Sequence, residues 1–74
     1  MDRNLDIIIS ENIKREIEQS GIKKSEIALA LGVSRATVSQ YISGRAQPTL
    51  ATLSKLCSVL DCSADDILGV KKDK

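Results

Sequence analysis

Residues 24–43 read KSEIALALGVSRATVSQYIS, and their spacing decides the fold. Ile27, Ala28 and Leu31 fall on one side of a helix about two turns long. Gly32 can take the left-handed backbone that ends such a helix, and Val33 follows it. Ser34 then offers a side-chain oxygen to the free amides of a second helix, with Thr37 three residues on. That helix is expected from Arg35 to about Ser43, with Val38, Tyr41 and Ile42 turned inward and Gly44 as its stop. Two short helices joined by a tight Gly-containing turn, the second opening on polar groups, make a helix-turn-helix over 24–43. Ala28 is small because the two helices approach closely there.

Outward from this unit the periodicity stays helical. Leu5, Ile9, Ile13 and Ile17 recur at intervals of four among Glu11, Lys14, Arg15, Glu16 and Glu18, which predicts a helix from about Asn4 to Gln19. Gly21 ends it, and Ile22 folds back against the stripe. Arg45 to Pro48 is a loop. Thr49 caps a fourth helix in which Leu50, Leu53, Leu56, Cys57 and Leu60 share helical spacing. Asp61 and Cys62 make a turn, and Ser63 with Asp66 forms a capping box that opens a fifth helix through Leu68. No hairpin signal and no internal repeat interrupts this pattern. The expectation is an all-α domain of five helices over residues 1–70, followed by a polar tail at 71–74.

Seventy-four residues leave room for one hydrophobic core. With 42% hydrophobic and 28% charged residues the composition is globular, and because Tyr41 is the one aromatic residue that core must be aliphatic. The chain has no His, which removes the commonest general base and metal ligand, and it shows no nucleophile–base pair; both argue against an enzyme. Cys57 and Cys62 are read as core thiols, since two thiols without His cannot complete a tetrahedral zinc shell. Asp65 and Asp66 sit in the first turn of a helix, where negative charge is stabilised. No metal, cofactor or small-molecule ligand is expected. No aliphatic run, Ile7 to Ile9 included, approaches the ~20 residues that span a membrane, and Asp2 and Asp6 spoil a signal-peptide reading. A soluble intracellular protein is the expectation.

Charge is unevenly placed. No acidic residue occurs between Glu26 and Asp61, while Arg35, Arg45 and Lys55 lie in that interval. Residues 23–55 carry five basic side chains against one acidic, whereas 1–22 carry three against five and 56–74 three against four. The net charge of +1 therefore hides a positive segment that coincides with the helix-turn-helix and its following loop.

At these residues the chain resembles the phage-repressor family of DNA-binding proteins, the Cro/C1 type that includes bacterial regulators of the xenobiotic-response-element class. Counted from Lys24, Ile27, Ala28, Leu31, Gly32, Val33, Val38 and Tyr41 stand at the places where the family's twenty-residue signature has apolar residues, Ala and Gly. Gly44 and Arg45 after the second helix, Pro48 before the fourth, and Ser63, Asp65, Ile67, Leu68 and Gly69 at the close continue the match over about Ile9 to Gly69. The chain departs at Lys23 and Lys24, where the family usually has a small capping residue and Gln. The resemblance implies a five-helix, lambda-repressor-like fold and a sequence-specific regulator of transcription, a repressor by expectation, in the cytoplasm of a bacterium or encoded by a phage and associated with the nucleoid.

It also implies that the start of the second helix of the motif enters the major groove of double-stranded DNA. Arg35 is then the residue to read guanine, Ala36 to pack on a thymine methyl and Gln40 to read adenine or bond a phosphate. Lys24, Ser34, Thr37, Ser39, Ser43 and Arg45 would hold the backbone. One reading helix covers too few base pairs to be selective, so a homodimer on a pseudo-palindromic site is expected, with Ile67, Leu68 and Val70 as its contact; covering the core is an equally good role for Ile67 and Leu68. The competing reading is a protein-binding module such as an antitoxin, docking a partner through Leu5, Ile7, Ile8 and Ile9, of which Ile7 and Ile8 exceed the needs of the stripe.

Overall fold

The computed structural model describes residues 5–70, and among these the chain forms five helices and no strand. They are α1 (Leu5–Ser20), α2 (Lys24–Leu31), α3 (Arg35–Ser43), α4 (Leu50–Leu60) and α5 (Ala64–Leu68). Asn4, the expected first residue of α1, and the expected tail at 71–74 lie outside the described residues. α1 runs one residue beyond Gln19, because the Ser20 hydroxyl donates to the Ile17 carbonyl at 2.7 Å and accepts from the Ile22 amide at 3.0 Å.

The core gathers Ile13 and Ile17 from α1, Ile27, Ala28 and Leu31 from α2, Val38 and Tyr41 from α3, Leu53, Leu56 and Leu60 from α4, and Ile67 from α5. Each large aliphatic side chain buried here is worth about 1.5–3 kcal/mol, so every helix is held by what it contributes to this one cluster. α2 packs on α3 and α4, while α1 braces α3 on one side and α5 on the other. Ser10 is the buried polar residue among those described, and it satisfies itself by donating to the Ile7 carbonyl at 2.9 Å. A Cβ on Gly44 would stand 3.2 Å from the Ser10 Oγ, so a small residue and a glycine mark the closest approach of α1 to the end of α3.

Helical spacing overreached at two helix starts. Leu50 is 81% exposed and Leu5 is 53% exposed, although each keeps the phase of its stripe. Both are first residues of their helices. Cys57 and Cys62 are partly buried at the rim of the core rather than inside it.

The helix ends explain the short connections. α4 ends on Asp61 at φ 56, a left-handed conformation that a short polar side chain tolerates where other non-glycine residues are strained. The Asp61 amide donates to the Ser58 carbonyl at 3.3 Å and the Cys62 amide to the Cys57 carbonyl at 3.0 Å, the paired bonds of a Schellman turn. α5 opens on the expected capping box, with the Asp66 amide donating to Ser63 Oγ and the Ser63 amide to Asp66 Oδ2.

Candidate nucleic-acid interface

The turn between α2 and α3 sets the pose of the motif. Gly32 takes φ 76, and the Val33 amide closes back on the Ala28 carbonyl at 3.0 Å. Ile27 and Val38 are wholly buried and Ala28 nearly so, which fixes α3 against α2. The opposite face of α3 is left outside. Arg35, Ala36, Ser39, Gln40 and Ser43 form one exposed stripe along it, with Thr37 partly buried at its edge.

Capping shapes the hydroxyl groups of this face. Ser34 has extended backbone and accepts from the Thr37 amide at 3.1 Å, and its oxygen lies 3.0 Å from Thr37 Oγ1. Of the two hydroxyl hydrogens in that pair, one remains for an outside acceptor. The Ser43 hydroxyl donates to the Gln40 carbonyl at 3.2 Å, so its proton is already engaged.

α2 begins differently, for no side chain caps it at Lys23. The positive end of α2 is therefore flanked by Lys23 and Lys24, both exposed. Arg45 is exposed in the loop after Gly44, and Lys55 is exposed on α4. Among the described residues the ion pair is Arg15 with Glu16 at 3.4 Å; Lys24, Arg35, Arg45 and Lys55 have no acidic partner there.

Several positioning contacts were invisible in the sequence. Gln47 Nε2 donates to Asp6 Oδ1 at 2.7 Å and ties the loop that carries Arg45 to the start of α1. Asn12 Nδ2 donates to the Ile67 carbonyl at 2.9 Å and Arg15 to the Asp66 carbonyl at 3.3 Å, which fastens α5 to α1. No local pattern links residues so far apart in the chain.

The expected dimer contact changes. Ile67 is 0% exposed and belongs to the core, so it has no surface to offer a second chain. Leu68 is partly buried and Val70 is 58% exposed. The methyl Cγ2 of Ile8 lies 3.6 Å from the position a Cβ on Gly69 would take, so the exposed Ile8 borders the same corner.

A helix-turn-helix family model matches residues 13–67. An HTH-type transcriptional regulator, YonR, derived from the SPbeta prophage of Bacillus subtilis, is 33% identical over 61 residues, covering 82% of this chain and 56% of its own length. This chain thus spans little more than half of that relative. Among solved structures, the SOS-response transcriptional repressor LexA from Eubacterium rectale superposes with a TM-score of 0.81 at 26% identity, over 96% of this chain and 79% of its own. A transcriptional regulator from Listeria innocua gives 0.77 at 30% identity, over 89% and 62%. The family match spans the α2–α3 crossing together with the core that supports it. The protein belongs to the Cro/C1-type helix-turn-helix family of DNA-binding transcriptional regulators.

Proposed function

We propose that the chain binds double-stranded DNA sequence-specifically and represses transcription as a homodimer on a pseudo-palindromic operator. The exposed stripe of α3, headed by an Arg35 that has no acidic partner among the described residues, is the observation that carries this reading. In the groove, Arg35 bonds guanine O6 and N7 together, Ala36 meets a thymine methyl and Gln40 serves adenine or a phosphate. Lys24 at the uncapped start of α2 and Arg45 in the loop hold phosphates, with Ser34, Thr37 and Ser39 as short donors. Ser43 is the weakest of the backbone contacts, its proton being engaged with Gln40. The dimer uses Leu68 and Val70, and half-sites stand ~10 bp apart. No described helix is long and apolar enough to cross a membrane, which fits action in the cytoplasm.

Selection from a random duplex pool at near-physiological salt tests this. Enrichment of an inverted repeat is the expected outcome, and retention without enrichment would reduce the activity to phosphate binding. The exposure of Leu5, Ile7 and Ile8 favours one second reading, a protein-binding module in the manner of an antitoxin. Arg35→Ala separates the two: it removes DNA reading and leaves partner binding intact.

A further inference from the structure

The Schellman turn that ends α4 brings the only two cysteines of the chain together. In this motif the residue three places before the last helical residue, here Leu60, and the residue two places after it frequently meet across the turn, as an apolar pair. Here those residues are Cys57, whose carbonyl accepts the closing bond, and Cys62, whose amide donates it. Both are free thiols and both are partly exposed. The two thiols also lie within each other's electrostatic reach, for burial first and then Cys57 push the Cys62 thiol up to about 12, with Glu16 from α1 and Asp66 from α5 adding to the rise.

We propose that Cys57 and Cys62 form a dithiol site that a hydroperoxide oxidises reversibly to an intramolecular disulfide across the α4–α5 turn. Cys57 begins the reaction and Cys62 completes it. The Cys57 thiolate attacks one peroxide oxygen and the O–O bond breaks. With hydrogen peroxide as the oxidant, the departing hydroxide takes up the proton that Cys57 released and leaves as water. The resulting sulfenic acid is attacked by the Cys62 sulfur, the S–O bond breaks, and hydroxide leaves with the Cys62 proton as a second water. Two thiols lose two electrons in all, and the peroxide is reduced to two waters. The new bond pins the segment that leads into α5 to the end of α4. It does not touch the outward stripe of α3.

The test uses the whole chain, unaltered. It is treated with hydrogen peroxide, its remaining thiols are blocked with N-ethylmaleimide, and it is digested with trypsin, which leaves both cysteines in the peptide 56–71. The expected product is that peptide lighter by about 2 Da, unlabelled, and restored to two free thiols by dithiothreitol. Labelled thiols at both positions, a sulfinic acid on either one, or a disulfide joining two chains would each overturn the proposal.

Discussion

Arg35 occupies a place that folding alone does not favour, since the first turn of a helix disfavours a cation. In the proposed function its use lies outside the chain, on DNA. Arg35→Ala is expected to lower affinity for the selected site about 5- to 160-fold, from the 1–3 kcal/mol of a bidentate base contact, and to leave the unfolding midpoint unchanged; fluorescence anisotropy and urea titration check the two halves. Lys24→Ala should weaken binding to all sequences alike, as loss of a phosphate contact does. Cys62 makes a prediction in pH. The fold holds its proton up to about 12, whereas an ordinary thiol ionises near 9.0. Its share of stability is therefore complete below 9.0 and is lost as pH rises toward 12, and its alkylation by iodoacetamide should go on accelerating above pH 10.

Caps and turns set the elements. Ser34 and Ser63 both accept a bond from the amide three residues on, and both open helices of fewer than ten residues. Replacing either with Ala should cost about 1 kcal/mol in chemical denaturation. The two differ in function: Ser34→Ala disturbs the start of the reading helix and should weaken DNA binding, while Ser63→Ala should not. α5 shows how far a five-residue helix depends on its surroundings, because Asn12 and Arg15 hold its carbonyls and Ile67 is entirely buried. Ile67→Ala is expected to lose about 2–5 kcal/mol, a large part of what a domain of this size possesses. Val70→Lys should cost the fold almost nothing. If Val70 lies in the dimer contact, sedimentation equilibrium will show that variant shifted toward monomer.

At the scale of the molecule, the near-neutral total conceals a positive segment over residues 23–55, set between two negative ones. Long-range attraction for a polyanion follows from that separation rather than from net charge. If Lys24, Arg45 and Lys55 of both protomers neutralise phosphates, a plot of log K against log salt should have a slope of roughly −5. A flat plot would remove phosphate attraction from the account of binding.

What was legible in the sequence was whatever depends on neighbours along the chain. The five helices, their caps at Ser34, Thr49 and Ser63, and the glycine stops at 21, 32 and 44 follow from side-chain periodicity and from backbone freedom, both local properties. The α2–α3 motif and its exposed stripe were legible for the same reason, since Ile27, Ala28 and Val38 can be buried only by turning Arg35, Ala36 and Gln40 outward. Periodicity names a face but not where the body beneath it ends, so the exposure of Leu5 and Leu50 and the complete burial of Ile67 were decided by tertiary packing alone. The Gln47–Asp6 bond, the fit of Gly44 on Ser10 and the hold of Asn12 on α5 belong to the same class. Each joins residues that meet only when the helices have closed on a shared core, and a geometry of that range leaves no local trace in the order of residues.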